Sequence, residues 1–231
     1  MHPIGKRLIV SIGGNCMKIV KPSVEIINPV KYGTVLNTVE LAIRNCYQSY
    51  DKMKEGSAEG IIRGIIKSGH DAMLEFADIV VKVTTDRAVS HQLVRHRLCN
   101  FAQQSQRYVN YSKQKFGEEI KVIVPEGLNN ESYETWRASV LASEAAYMVM
   151  TKDQHMPAEV ARSVLPNCCA TTIYMKANIR EWRHIFGLRV SKYSQTDIRK
   201  IMKELLIKMY EKYPVFFEDL YNKVVQQGTL D

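Results

Sequence analysis

The 231-residue sequence lacks the long apolar runs, internal repeats and glycine-rich nucleotide loops that mark several large protein classes. No run of about 18 apolar residues occurs, so the sequence predicts no membrane-spanning helix. Neither G-x-G-x-x-G nor a Walker loop occurs, which argues against a doubly wound nucleotide-binding domain. Hydrophobic residues make up 45% and charged residues 24% of the chain. These values are typical of a globular protein and exclude a disordered or collagen-like chain.

Cysteine is scarce, and its spacing is not that of a zinc or redox motif. The five cysteines include no C-x-x-C pair; they are Cys16, Cys46, Cys99, Cys168 and Cys169. This usage favours a reducing cytoplasm and small packed side chains, and we predict no metal site. Residues 1–16 contain only a short apolar stretch, so no secretion signal is predicted. Met17 could be a natural start, which would make residues 1–16 a tag or an extension of a domain at 17–231.

The charge balance is basic. There are 32 Lys and Arg residues against 24 Asp and Glu residues, a formal net charge of +8. Such a balance indicates an anionic partner, namely a nucleic acid, a nucleotide or a membrane surface. The alternative is a solvated basic surface, and composition alone leaves both open. The one tight basic group, Arg95-His96-Arg97, is too small for a polybasic membrane patch.

Hydrophobic periodicity predicts strands and helices in mixed order, without regular β-α-β alternation. Strands are predicted at residues 18–27, 76–85, 122–124 and 170–176. Helices are predicted after caps at Asn37 or Thr38, Asp86 and Ser132, and over residues 61–69, 157–166, 179–186 and 196–210. Residues 98–113 are expected to form a polar loop. The order predicts a single α+β domain.

The densest group of reactive side chains follows the helix predicted after Asp86. Arg95-His96-Arg97 is followed, after seven residues, by Ser105-Gln106-Arg107-Tyr108. Guanidinium groups suit planar, two-point recognition of phosphate, so this group predicts an anion site. The alternative is a solvated basic turn.

This pattern resembles the R-H-R-x(7)-S signature of flavin-dependent thymidylate synthases (the ThyX family), including the longer form that ends S-x-R-Y. Three further segments are similar to that family: Gly69-His70 with Glu75, Ala161-Arg162 with Leu165-Pro166, and residues 178–189. The resemblance covers roughly residues 18–212. It implies an α+β fold of the thymidylate synthase-complementing protein type, with a central, largely antiparallel sheet flanked by helices.

The resemblance implies an FAD-dependent methyltransferase that makes dTMP from dUMP. Methylenetetrahydrofolate would supply the carbon, reduced FAD the hydride, and NADPH, as the expected reductant, would reload the flavin. It also implies a cytoplasmic homotetramer whose sites are shared between subunits, with neither nucleic acid nor membrane as partner. The alternative from another class is a basic nucleic-acid-binding module that uses the same arginines on phosphates.

Site residues are carried over position by position from the family's motifs. The residues implied to bind dUMP are Gln92, Arg95, Gln103, Ser105, Arg107, Arg162 and Arg189. The residues implied to bind FAD are His70, Arg95, His96, Arg97, Gln103, Asn178, Arg180 and His184. Arg189 is the implied catalytic residue, since its cation would polarise the uracil ring.

The chain departs from the family's pattern at several positions. The commoner form R-H-R-x-x-S-x-N-E-x-S appears here with Asn100, Ala102 and Gln103, and Ala72 replaces a frequent hydroxyl residue. Gln103 is the main departure, because family members use a carboxylate at this position to contact the nucleotide sugar and the flavin. An amide keeps hydrogen-bonding capacity and loses the charge. On the resemblance alone, Gln103→Glu is expected to be tolerated.

Overall fold

The computed structural model describes residues 17–27 and 29–230; the predicted extension at 1–16 lies outside these residues. The strands are β1 (Lys18–Ile19), β2 (Ser23–Ile26), β3 (Asp78–Asp86), β4 (Asn100–Gln103), β5 (Lys121–Val122) and β6 (Ala170–Asn178). The α-helices are α1 (Tyr32–Cys46), α2 (Ser57–Ser68), α3 (Arg87–Leu93), α4 (Asn130–Met148), α5 (Ala158–Ala161), α6 (Ile179–Arg189), α7 (Thr196–Lys212) and α8 (Pro214–Gln227). Contacts among the described residues divide them into two compact units, one from the segments 21–103 and 171–230, the other from the segments 17–20 and 104–170.

The larger unit contains a four-stranded sheet in the order β2-β3-β6-β4. β2 runs antiparallel to β3, with Val24 opposite Val83, and β4 runs antiparallel to β6, with Phe101 opposite Met175. Side chains alternate between buried and more exposed along β3, as expected for a sheet with one covered face. The predicted α+β class with a largely antiparallel sheet is therefore confirmed.

Helices form the core of this unit against the sheet. The predicted apolar stripe of α7 is buried, and its members are Ile198, Ile201, Met202, Leu205, Leu206 and Met209. Trp182 of α6 is also fully buried and donates its indole N–H to the Ile79 carbonyl at 3.1 Å. α6, which carries most of the candidate residues of the C-terminal half, is thus fixed by packing along one face.

The smaller unit is built around α4, with β1 and β5 forming a short parallel pair. Its core includes Ile120, Val140 and Tyr147, all 2% exposed or less. The buried Glu144 carboxylate accepts the Ile120 backbone N–H at 2.8 Å, which satisfies a polar group inside this core. Five further residues, Val149–Asp153, extend α4 as a π-helical turn.

Several predicted boundaries are confirmed and others are wrong. Asp86 caps α3, accepting the Val89 N–H at 2.6 Å, and Gly69 ends α2 with φ +72°, both as predicted. The helix predicted after Asn37 or Thr38 begins earlier, at the start of α1, where no side chain caps it. Asn129, not the predicted Ser132, caps α4.

Two strand predictions also need correction. The single strand predicted at residues 18–27 is two strands, β1 and β2, which belong to different sheets. The loop predicted at 98–113 contains strand β4. Its four residues, Asn-Phe-Ala-Gln, carry no run of β-branched side chains, so only their pairing with β6 makes them a strand.

Candidate active site

The Arg95-His96-Arg97 motif lies in the turn that follows α3 and precedes β4. The turn is closed by backbone bonds, including the His96 N–H to the Leu93 carbonyl at 3.1 Å. Arg95 and Arg97 are exposed, whereas His96 between them is only 5% exposed. The three adjacent side chains therefore do not share one environment: two cations face solvent and the imidazole faces the protein.

The buried imidazole of His96 contacts Arg189, the last residue of α6. Arg189 Nε donates to His96 Nε2 at 2.9 Å, and one terminal nitrogen of the same guanidinium donates to the Gln92 carbonyl at 3.2 Å. An arginine Nε–H only donates, so His96 Nε2 must be the acceptor and the ring is neutral, with its proton on Nδ1. His96 Nδ1 lies 3.8 Å from a carboxylate oxygen of the buried Glu181.

Ionisation in this group follows from burial. Burial, the Arg189 cation and His184 lower the pKa of His96 to about 4. Burial likewise raises the pKa of Glu181 and lowers that of Arg189. The cluster therefore holds one guanidinium against a neutral imidazole and a backbone carbonyl.

Gln92, an implied dUMP residue, is engaged by a residue that the sequence analysis did not identify. Its amide nitrogen donates to the Gln195 amide oxygen at 2.6 Å. The Gln195 amide nitrogen in turn donates to Asp197 at 2.9 Å. Because a carboxylate only accepts, Asp197 fixes the orientation of both amides and leaves the oxygen of Gln92 facing away from Gln195.

Gln103 ends β4 and uses its amide nitrogen on two hydroxyl groups. It donates to Ser90 Oγ at 2.9 Å and to Thr171 Oγ1 at 3.3 Å. Ser90 and Thr171 are 0% and 3% exposed. Both hydroxyls were missed by the sequence analysis, and no motif marks either. The arrangement leaves the Gln103 amide oxygen as an available acceptor, which is the capacity shared with the carboxylate commonly found here.

Three implied FAD residues of the larger unit lie at the end of α2 and at the start of α6, namely His70, Asn178 and Arg180. Asn178 caps α6, accepting the Glu181 N–H at 2.8 Å. Arg180 forms an ion pair with Glu75 at 2.5 Å. His70 and Arg180 both line a cavity of about 330 Å³, whereas His184 is exposed on α6 and lies 6.3 Å, ring to ring, from His96.

The remaining implied dUMP residues lie in the smaller unit. Ser105 Oγ accepts the Arg107 backbone N–H at 3.2 Å, so the hydroxyl and this N–H lie together in one turn. The Arg107 guanidinium pairs with Glu159 at 2.9 Å and lies 5.2 Å from the Tyr108 ring. Arg162 is exposed directly after α5. Glu159 is a further residue that the sequence analysis did not identify.

Comparison with known proteins assigns the family. The family model described as thymidylate synthase complementing protein matches residues 30–215. The chain belongs to this family. The flavin-dependent thymidylate synthase of Mycobacterium avium (strain 104) is 33% identical over 210 residues, which cover 83% of this chain and 82% of that protein. That of Geobacter sulfurreducens is 34% identical over 190 residues, covering 78% and 80%.

These matches confirm the family that the motif predicted, and with it the class of enzyme, a flavin-dependent thymidylate synthase. Within the described part of the chain, no helix combines the length and apolar character needed to cross a membrane. The roles carried over to individual residues stay predictions.

Solved structures confirm the fold type. The UMP/dUMP methylase PolB of Streptomyces cacaoi, bound with 5-Br dUMP, has a TM-score of 0.72 at 21% identity and covers 87% of this chain and 95% of its own. ThyX of Helicobacter pylori, with FAD and dUMP, has a TM-score of 0.69 at 19% identity, covering 86% and 98%. The predicted fold of the thymidylate synthase-complementing protein type is therefore correct.

Proposed function

We propose that this thymidylate synthase methylates dUMP to dTMP, with FAD as its cofactor. Family membership supports the reaction class, and the observation that carries it to this chain is the Arg189 cluster. A guanidinium held by His96 and the Gln92 carbonyl at the end of α6 provides a fixed cation. A cation beside the uracil ring stabilises negative charge that develops there when the ring is attacked.

The side chains present suit FAD. Its pyrophosphate is anionic, and the exposed guanidinium groups of Arg95, Arg97 and Arg180 are the donors that such a group requires. His70 and Arg180 line one cavity, which therefore presents both an imidazole and a guanidinium. We assign these residues, with Gln103, Asn178 and His184, to the FAD site. When bound and reduced, FAD supplies the hydride of the reaction.

The dUMP-binding roles follow from donor chemistry. Ser105 and Arg107 provide a hydroxyl, a backbone N–H and a guanidinium for phosphate, and Arg162 adds a second cation. Gln103 would accept a sugar hydroxyl through the amide oxygen that its two hydroxyl neighbours leave available. Gln92 and Arg95 are assigned to the same substrate, and Arg189 to the base.

The finer features are inferred from the family alone. Methylenetetrahydrofolate would be the carbon donor and NADPH the reductant. The enzyme would be a cytoplasmic homotetramer, with each site built from several subunits, and the catalytic domain would extend over residues 17–231. Neither nucleic acid nor a membrane is expected as a partner.

A visible spectrum and a product assay test the proposal together. The purified protein should show flavin absorption as isolated or after addition of FAD and gel filtration. With dUMP, methylenetetrahydrofolate and NADPH it should form dTMP, measured by chromatography. A colourless protein that retains no FAD, yet binds nucleic acid with an affinity that falls steeply as salt rises, would instead support the nucleic-acid-binding alternative.

A further inference from the structure

His96 is separated from its neighbours in the motif by burial. Arg95 and Arg97 are exposed, and His96 is 5% exposed. A neutral imidazole has one acceptor nitrogen, and in His96 this nitrogen receives the Arg189 Nε–H at 2.9 Å. The side chain is therefore already engaged with another residue of the site.

The donors of Arg189 divide into two sets. A guanidinium carries five N–H groups, two of which reach His96 Nε2 and the Gln92 carbonyl. The other three have no partner among residues 17–27 and 29–230. Because the two anchoring bonds fix the plane of the guanidinium, the remaining three donors are held at fixed angles within that plane, available to a ligand.

We propose that His96 is a positioning residue whose neutral imidazole anchors Arg189, so that the remaining guanidinium donors face the uracil ring of dUMP. This inference rests on the proposed function and gives His96 a role distinct from the FAD contact that the resemblance implies. A carboxylate in its place would anchor the guanidinium and also cancel its charge. A neutral acceptor fixes the orientation of the Arg189 guanidinium and leaves its positive charge uncancelled.

The charged groups that face His96 agree with this role. Arg189, His184 and Glu181 approach the ring, all from α6. Protonation of the ring would place a cation against Arg189 and remove the acceptor of its Nε–H. The anchor therefore works in the neutral state that the geometry requires.

A matched set of variants tests the anchor. His96→Gln keeps an amide oxygen that can accept near the position of Nε2, whereas His96→Leu has no acceptor; His91→Leu, on the exposed side of α3, is the control. FAD content is read from the visible spectrum, and dUMP affinity and kcat/KM are measured on FAD-loaded protein. We expect His96→Leu to lower kcat/KM by about tenfold or more, the scale of one lost hydrogen bond to a charged group, with FAD content retained. His96→Gln should recover most of this loss.

Combination with Arg189→Ala separates anchoring from cofactor binding. If His96 acts through Arg189, the double variant His96→Leu/Arg189→Ala should lose no more kcat/KM than Arg189→Ala alone. The proposal would be overturned if the two losses in kcat/KM multiply in the double variant. It would also be overturned if His96→Leu loses FAD while its dUMP affinity is unchanged, which would return His96 to the flavin site. Failure of His96→Gln to recover activity would also count against it.

A ligand-independent readout keeps this test distinct from that of the proposed function. The free energies of unfolding of wild type, His96→Leu, Arg189→Ala and the double variant, measured without dUMP or FAD, form a double-mutant cycle. A non-additive cycle combined with the dUMP effects described above supports the anchor. An additive cycle shows that the contact is not energetically coupled and overturns it. If wild-type protein makes no dTMP, the proposed function fails, whereas the cycle still reports on the His96–Arg189 contact.

Discussion

Replacing Gln103 by glutamate exchanges the amide nitrogen that reaches Ser90 and Thr171 for an oxygen that only accepts. The single hydroxyl proton of Ser90 is already donated to the Arg87 carbonyl at 3.0 Å. An introduced carboxylate would therefore meet the lone pairs of Ser90, or would draw its proton away from Arg87. The hydroxyls around Gln103 are arranged for an amide, so the tolerance expected from the resemblance alone is revised.

The magnitude follows from burial. Ser90 is 0% exposed, and an unmade hydrogen bond at a buried polar group costs about 1–3 kcal/mol. Thr171 can turn its proton toward a carboxylate, and Arg87, which lies 3.3 Å from Thr171 Oγ1, offsets part of the charge burial. We expect Gln103→Glu to lower the free energy of unfolding by about 1–2 kcal/mol at pH 8, which lowers Tm by about 3–6 °C for a chain of this size.

The loss should depend on pH. A protonated carboxyl can again donate to Ser90, so the folded state raises the pKa of the introduced group above its ordinary value of about 4.3. Stability that comes with a raised pKa is present at low pH and is lost as pH rises through that pKa. Thermal unfolding from pH 4 to pH 8 measures this, with the exposed Gln114→Glu as control. A variant as stable as wild type at pH 8, or a loss that does not change with pH, would refute the donor assignment at Gln103.

Three further predictions concern the phosphate, the nucleophile and the buried imidazole. Glu159→Gln should tighten binding of dUMP severalfold at low salt, because the carboxylate that pairs with Arg107 at 2.9 Å no longer competes with phosphate; unchanged titration curves would contradict this. Ser105→Ala should weaken dUMP binding yet keep turnover at saturating substrate, and mass spectrometry should find no covalent adduct there or at any cysteine. His96 has its pKa lowered to about 4, so wild type should lose up to about 3 kcal/mol of stability relative to His96→Gln as pH falls from about 6.5 to about 4; parallel pH profiles of unfolding would contradict this.

Local signals predicted those elements whose cause is local. The apolar positions of α7 repeat at helical spacing, and Asp86 and Gly69 stand where a cap and a helix end need them. The start of α1 carries no such signal, because no side chain caps it. β4 was missed for a different reason: its pairing partner in β6 lies about 70 residues away, and pairing rather than propensity makes it a strand.

The site shows the same division. The spacing of Arg95, His96, Arg97 and Ser105 was sufficient to predict the family, because a motif is a pattern in sequence. The motif could not predict that His96 is buried, since Arg189, which contacts it, lies 93 residues away in the sequence. Ser90 and Thr171 were missed because a hydroxyl that receives an amide proton has no sequence signature.

The partners of the implied ligand arginines differ in charge, and the difference bears on what each can do. Arg107 pairs with the carboxylate of Glu159, and Arg180 with that of Glu75. An anionic ligand would have to displace these carboxylates, so its affinity for either arginine would reflect the exchange of one anionic partner for another. Arg189 is held by an imidazole and a carbonyl, both neutral. Half-buried, and forming no ion pair within residues 17–27 and 29–230, its charge acts with less screening than that of an exposed ion pair. A residue that only binds can share its charge with a carboxylate, whereas the catalytic role proposed for Arg189 requires an intact field, which its two neutral partners leave in place.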